Sequence, residues 1–264
     1  MPKSAPVGTQ SVLRSIQVMK AVADRKEIGW RLTDLASHCN LDKATTYRLV
    51  ASLASQRLLR QRPIDKRYVP GQLIFELALA LPSLNRFKET IHLELVKLSR
   101  QMKGIAFLYL LAGDETVCID RVGASSIPPL TGVGTRRLLA HSTFGISMLL
   151  TMPRSVQDAI LKRNRLSSPA LSERAPRYRA ILKRSRKHGF GFNINDIVHG
   201  LTTIAVPLMK ADGLPFASLG IMAPSTDFSS AHVTRVVNTL REQANCIATD
   251  QRDLIAEVAM NAAP

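Results

Sequence analysis

Near Gly104 the spacing of apolar residues changes period, and this change limits what the chain can fold into. Before it, apolar positions recur every three or four residues; after it, runs alternate around glycine turns. Residues 11–25 bring Val12, Ile16, Met19, Val22 and Ala23 to helical spacing. Residues 32–38 read as a second, short helix with Thr33 as its N-cap, and Asn40 to Asp42 as a turn. A third helix is predicted over 42–56, with Thr46, Leu49, Val50 and Leu53 turned inward. Two extended pieces, 58–61 and 67–69, then flank the turn Pro63-Ile64-Asp65-Lys66. Three helices followed by a hairpin form the outline of a winged helix-turn-helix.

Residues 71–81 read as a helix leaving the wing, punctuated by Pro82-Ser83 and followed by a longer amphipathic helix over 85–102. Beyond Gly104, strands are predicted at 105–112 and 116–122 about Gly113-Asp114, and at 202–207 and 215–223 about Ala211-Asp212-Gly213. Helices are predicted at 143–151, 155–162, 172–188 and 229–254. Strands joined by hairpins imply a mainly antiparallel sheet, so the fold class is α+β rather than doubly wound. Neither GxGxxG nor GxxxxGKS/T occurs at a strand-to-helix junction, so nothing here cradles a nucleotide.

Charge separates the regions further. The chain carries 36 Lys+Arg against 20 Asp+Glu, a net +16. Residues 1–82 contribute +7, residues 83–188 contribute +12, and residues 189–264 contribute −3. An excess of this size favours polyanions. The three cysteines, Cys39, Cys118 and Cys246, are far apart and form no CxxC, which argues against a disulfide scaffold or zinc site and for a reducing compartment. Neither a cofactor nor a metal is expected. Residues 1–10 lack an apolar leader core, and the richest apolar stretch, 73–81, is short and broken by Glu76. The expectation is a cytoplasmic protein without a membrane partner.

In a helix-turn-helix the second helix of the pair enters the major groove with its N-terminal turns nearest the bases. The inward set of the third helix leaves Lys43, Ala44, Tyr47 and Arg48 outward, with Thr45 beside them. Arg48 suits a guanine edge, and Thr45 or Tyr47 a phosphate or thymine methyl. On the hairpin, Arg60, Arg62, Lys66 and Arg67 suit phosphates. Double-stranded DNA is therefore the expected partner.

Several segments resemble the IclR family of bacterial transcriptional regulators, in order and over nearly the whole chain. They are Leu32-Thr33-Asp34-Leu35-Ala36, residues 41–53, Tyr68-Val69-Pro70-Gly71, residues 114–122, and Gly189-Phe190-Gly191-Phe192 running on through Gly200 to Ile204-Ala205-Val206-Pro207. Residues 1–10, with Pro2, Pro6 and Gly8 and no periodicity, read as a flexible arm. The resemblance implies a winged helix-turn-helix domain (11–70), a linker helix (71–84) and a GAF-like effector-binding domain (85–264). It also implies homodimers, or homotetramers as dimers of dimers, on palindromic operators, with a small organic acid as effector. Repression and activation both occur in the family.

By the same resemblance, the effector-binding positions are Ser142, Thr143 and Phe144 at a loop entering a helix, Asn193 and Leu201 around the loop 194–200, Thr203, and the strand pair Gly220 and Met222. Backbone amides at that helix start would suit a carboxylate. Asn193 stands where the family commonly has an acid, Thr203 where it has Cys, and Met222 where it has a small polar residue. These changes remove charge and add apolar lining, so the expected ligand pairs a carboxylate with an apolar or aromatic body.

Three features invite other readings. Cys118 and Asp120 share a strand face by the period-two rule, and His141 follows on a later loop, so a hydrolase-like enzyme with a basic interaction module is the alternative function; the plain reading of Cys118 is a core residue. The run 162–187 holds ten basic residues opposed only by Glu173. It is either a solvated face or a contact with flanking DNA or an acidic partner. Trp30 reads as a packing anchor rather than a base-stacking group.

Overall fold

The structure is a computed structural model describing residues 9–123, 132–167 and 175–262. The first eight residues of the expected arm, and 172–174 of the expected helix at 172–188, lie outside the described residues. The chain divides into two compact units, Met1–Pro82 and Ser83–Pro264.

The first unit contains α1 (Gln10–Asp24), α2 (Leu32–Cys39), α3 (Lys43–Ser55), β1 (Leu59–Gln61), β2 (Tyr68–Pro70) and α4 (Gln72–Ala78). Asn40 ends α2 in the left-handed region at φ 51°, a conformation asparagine tolerates, and its amide reaches the carbonyls of Ala36 and Ser37. Two residues later Asp42 caps α3, accepting the Thr45 amide at 2.7 Å. These two caps fix the tight turn between the paired helices. The core beneath them joins Val18, Val22, Leu35, Val50, Leu53 and Leu59 to Trp30. Trp30 is an anchor: its indole N–H donates to the Ala21 carbonyl at 2.8 Å, and its backbone pairs with Tyr68. Thr46 is fully buried and satisfied by donating to the Asp42 carbonyl at 2.9 Å.

Two expectations change here. Val18, Ala21 and Val22 form the buried stripe of α1, while Val12 and Ile16 stay 57% and 45% exposed. Arg31, not Thr33, occupies the cap position of α2, because Leu32 already packs on the core; the Thr33 hydroxyl meets Asp34 instead.

The second unit runs α5 (Pro82–Met102), β3 (Ile105–Ala112), β4 (Glu115–Val122), β5 (Arg136–Leu138), α6 (Thr143–Leu149), α7 (Arg154–Ser167), α8 (Ala175–His188), β6 (Gly191–Ile194), β7 (Leu201–Met209), β8 (Pro215–Pro224), α9 (Ser230–Asp250) and α10 (Arg252–Ala262). The strands form one six-stranded sheet in the order β5-β4-β3-β8-β7-β6, and every neighbouring pair is antiparallel. One face carries Ala106, Leu108, Val206, Leu208, Leu219 and Ile221 against Phe87, Ile91, Leu95 and Leu98 of α5 and Val236, Leu240 and Ile247 of α9. The other carries Ile105, Phe107, Tyr109, Cys118 and Ala205 against Phe144 of α6.

Helix α5 starts at Pro82, three residues before the predicted start, with proline in the first-turn position it tolerates. The predicted single helix over 229–254 is two, because Gln251 interrupts it and lets Ile255 and Val258 fold back into the α5–α9 core. Strands β5 and β6 were not predicted; β5 is a three-residue, arginine-rich edge held by Arg136 on Glu115 at 2.6 Å.

Leu95 is fully buried and Gln101, on the same helix, is exposed. In urea titrations followed by circular dichroism, Leu95→Ala should lower the unfolding free energy of this unit by about 2–5 kcal/mol. Gln101→Ala should stay within about 0.5 kcal/mol of the parent. Equal effects would contradict this account of the core.

Candidate functional site

The first candidate is the exposed start of α3. Lys43, Ala44, Tyr47 and Arg48 are all exposed, and Thr45 is half-buried. The Asp42 cap uses the Thr45 amide, so its carboxyl sits below the ordinary range and the first turn is rigid. Arg48 leans on Thr45, its guanidinium 3.4 Å from the hydroxyl, and otherwise projects outward. All five predicted residues therefore share one outward surface.

The four basic residues of the hairpin divide into two pairs. Arg60 and Lys66 are exposed. Arg62 folds back: it donates to the Glu27 carbonyl at 2.8 Å, to the Ile28 carbonyl, and twice to Asp65 at 3.1 and 2.6 Å. Arg67 joins it, 3.7 Å from Asp65 and 3.4 Å from the Ile28 carbonyl. The Arg62 guanidinium holds the Asp65 carboxyl below its ordinary range. Arg62 and Arg67 thus pin the hairpin to the segment before Trp30, and Arg60 and Lys66 are the ones left to reach a partner. Nothing local in the sequence marks that pin, since its carbonyl acceptors lie some 35 residues away.

The second candidate is the sheet face beneath α6. Register sets Phe107 opposite Gly220 and Gly220 opposite Ala205; in the next row, Ile105, Met222, Thr203 and Asn193 follow one another across β3, β8, β7 and β6. Phe144 stacks on Tyr109 at 4.2 Å and meets Phe107 edge-on at 5.6 Å. Gly220 permits this approach, because a Cβ there would come within 2.7 Å of the Phe144 ring and 2.4 Å of the Ile204 carbonyl. Thr203 is 2% exposed, yet its hydroxyl has no hydrogen-bond partner among the described residues. Asn193 is also buried, but its side chain is engaged, accepting the Asp196 amide at 3.1 Å to close the following loop. Leu201 lies on the same face at the start of β7, by strand alternation from Thr203.

The start of α6 offers less to an anion than the sequence suggested. The helix has seven residues, and Ser142 caps it with its own hydroxyl on the Gly145 amide at 3.3 Å. Ser142 and Thr143 are buried and packed.

Sequence reasoning missed Arg121. The β3–β4 register slips between Leu108 and Tyr109, so Tyr109 faces Cys118 while Phe107 faces Arg121. The bulge leaves Cys118 and Arg121 on the α6 face and sends Asp120 toward α5, where it meets His92 at 2.8 Å. The Arg121 guanidinium lies 5.9 Å from the Phe107 ring centre, and its buried Nε lacks a hydrogen-bond partner among the described residues.

The same bulge dismantles the hydrolase arrangement. Asp120 is committed to His92, and the Cys118 thiol donates to the Asp120 carbonyl at 3.5 Å. His141 stacks on Tyr178 with ring centres 4.5 Å apart, and burial pulls its pKa below the ordinary imidazole value. In the basic run, Arg163 is paired with Asp114 and Arg184 with Asp196, while Lys162, Arg165, Arg177, Arg179, Lys183 and Lys187 are exposed. Arg174 and Glu173 lie outside the described residues. On the helical side, a cleft of about 530 Å³ opens where α5 meets the α9–α10 junction. Its charges are mixed in sign and partly satisfied by the Arg86–Glu257 pair at 3.1 Å, so it selects no ligand charge.

Two family models match the chain: the IclR helix-turn-helix domain over residues 11–63 and the bacterial transcriptional regulator IclR C-terminal domain over 83–249. Among curated proteins it is similar to the HTH-type transcriptional regulator KdgR of Escherichia coli, 25% identical over 92% of this chain and 93% of that one. Among solved structures it resembles an IclR family transcriptional regulator from Brucella abortus, at TM-score 0.72 and 20% identity over 91% of each chain. It also resembles an IclR homolog from Microbacterium hydrocarbonoxydans solved with 4-hydroxybenzoate, at TM-score 0.65 and 20% identity over 92% of this chain and 99% of that one.

The division within the hairpin can be measured. Replacing Arg60 and Lys66 together by Gln should reduce the slope of log DNA affinity against log salt by about 2, with thermal stability unchanged. Arg62→Gln should instead lower the melting temperature at pH 7. The folded pKa of Asp65 lies below its unfolded one, so the pin's contribution is complete above the ordinary carboxylate range and fades as pH falls through the folded value. The Arg62→Gln penalty should therefore shrink in strong acid. Identical behaviour of the two variants would refute the division.

Proposed function

The chain belongs to the IclR family of bacterial transcriptional regulators, and from that premise we propose a cytoplasmic, acid-responsive regulator that reads a palindromic operator as a dimer or dimer of dimers. The family is one of DNA-binding regulators rather than enzymes, so the reaction to explain is a change in DNA affinity. The observation that carries the reading is the α3 surface: Lys43, Tyr47 and Arg48 exposed on a helix whose first turn is already fixed by Asp42. Arg48 reads a guanine edge, Thr45 and Tyr47 take a phosphate or a thymine methyl, and Lys43 takes a phosphate beside Ala44. From the wing, Arg60 and Lys66 reach the backbone, with Arg62 and Arg67 holding the wing in shape.

Pairing is supported by the unburied apolar side chains of this unit. Val12, Leu13 and Ile16 on α1 are 57%, 52% and 45% exposed, and Phe75 on α4 is 67% exposed. An isolated molecule would hold this surface in water at a cost. The effector is an organic acid bound on the α6 side of the sheet, among Ser142, Thr143, Phe144, Asn193, Leu201, Thr203, Gly220 and Met222. The 4-hydroxybenzoate complex of a structurally similar protein supports an aromatic acid. Such a ligand moves operator affinity only by the difference in its own affinity for the two arrangements of the paired reading helices. A hundredfold change requires a difference of about 2.7 kcal/mol.

Mobility-shift titrations on the upstream region of its own gene test this, at two salt concentrations, with and without acid. The full chain should hold that fragment more tightly than a random duplex of the same length. Arg48→Ala should lose about tenfold to a hundredfold of the preference, the worth of a bidentate base contact. Equal retention of both duplexes by the parent, or an Arg48→Ala variant with its preference intact, would overturn the reading.

A further inference from the structure

We propose that Arg121 is the anion anchor of the effector domain, gripping the carboxylate of an aromatic acid whose far end carries a hydrogen-bonding group that meets Thr203. This rests on the effector reading above and supplies the atoms it lacks.

Arg121 is a half-buried cation without a counter-charge. Arg62, Arg86, Arg136, Arg163 and Arg184 each contact a carboxylate. Arg121 makes no ion pair or side-chain hydrogen bond among the described residues, and its Nε is buried. Its neighbour Asp120 does not neutralise it. One Asp120 oxygen is on His92 at 2.8 Å, and the other accepts the Arg121 backbone amide at 2.8 Å. The guanidinium lies instead over Phe107, on the next strand. A planar donor fork on an aromatic surface is the arrangement that takes a carboxylate in bidentate fashion. The rival anion seat, the start of α6, is only seven residues of helix and uses its Gly145 amide on Ser142.

Across the sheet from Arg121 the α6 face is apolar. Phe107 leads to Gly220, which has no side chain and over which the Phe144 ring closes, and beside it to Ile105 and Met222; a ligand lying along this face takes the place of that ring. Tyr109 adds no competing negative charge, because burial pushes its hydroxyl far above neutrality. At the far side, two strands on from Phe107, stands Thr203, 2% exposed with an unpartnered hydroxyl. A buried hydroxyl left unsatisfied is costly, and a ligand group that meets it recovers that cost.

Strand spacing gives the length of the ligand. Two spacings separate β3 from β7, about 10 Å, and Thr203 lies one row, about 7 Å, along the strands from Phe107, a diagonal of about 12 Å. Less the reach of a hydrogen bond at each end, this leaves about 6 Å between the polar ends of the ligand. That is the length of a benzoate with a hydroxyl para to its carboxylate. A two- or three-carbon acid satisfies one end only.

The test uses the full chain, thermal shift and calorimetry, and four probes: 4-hydroxybenzoate, benzoate, 4-hydroxybenzamide and lactate. The parent should bind 4-hydroxybenzoate at least tenfold more tightly than benzoate or the amide, and lactate most weakly. Arg121→Gln should lose at least tenfold for both benzoates and treat acid and amide alike, with Arg121→Lys intermediate. Thr203→Val should keep benzoate affinity and lose the preference for the hydroxyl. Should the parent bind the aromatic acids while a folded Arg121→Gln binds them equally well, the anchor is wrong although the effector reading stands. Parent affinity equal for acid and amide overturns the anchor without any variant, even where Arg121→Gln fails to fold. A preference for lactate overturns the span, and no stabilisation by any of the four removes the effector reading and this inference together.

Discussion

The two faces of the six-stranded sheet are buried by different means, and the rest of the larger unit follows from that inequality. Toward α5 and α9 the strands present an aliphatic surface, and the helices answer with Phe87, Ile91, Leu95, Leu240 and Ile247. That face is closed and needs no ligand. Toward α6 the central strands meet a seven-residue helix, held close because Gly191 and Gly220 carry no side chain. Among the described residues, the Arg121 Nε and the Thr203 hydroxyl are buried on this face without the hydrogen bonds that burial normally demands.

The smaller unit makes a similar division among its charges. A wing of two three-residue strands has too few ladder hydrogen bonds to hold itself rigid. Asp65 supplies what is missing by gathering Arg62 and Arg67, which reach on to the carbonyls of Glu27 and Ile28. These are partly shielded, charge-assisted contacts, stronger than exposed pairs such as Arg57 with Glu76. The outward cations then approach a duplex from a fixed position, and less ordering is lost on binding.

Much of this architecture is legible in the sequence. The strand pairs about Gly113 and Gly213 and the Asn40–Asp42 turn carry strong local signals, and the structure has them. What escapes detection lacks a local cause. On α1 two apolar stripes overlap, and only packing selects Val18, Ala21 and Val22 over Val12 and Ile16. The interruption at Gln251 has no Gly or Pro to announce it; it exists because Ile255 and Val258 gain a core. The five outward positions at the start of α3 follow from its inward set, but the split among the wing cations depends on carbonyls distant in sequence. For Arg121 the obstacle is sharper. Counting by twos from Cys118 assigns Asp120 to the α6 face and Arg121 to the other, and one bulged residue reverses both.

That reversal links the fold to its response. Without the bulge, the carboxylate of Asp120 would stand on the α6 face and repel an acid, and the guanidinium would be spent toward α5. With it, the carboxylate is hydrogen-bonded to His92 and the guanidinium faces the aromatic floor with no ion pair among the described residues. Both groups are under-satisfied among the described residues, so an arrangement that lets a ligand complete Arg121 and Thr203 gains what the protein alone lacks. A molecule satisfying one end gains part of it, and one satisfying neither gains nothing. Discrimination between effectors is thus set by two unpaired groups and the distance between them, and it reaches the DNA-reading helix only as far as that gain differs between the states the protein can adopt.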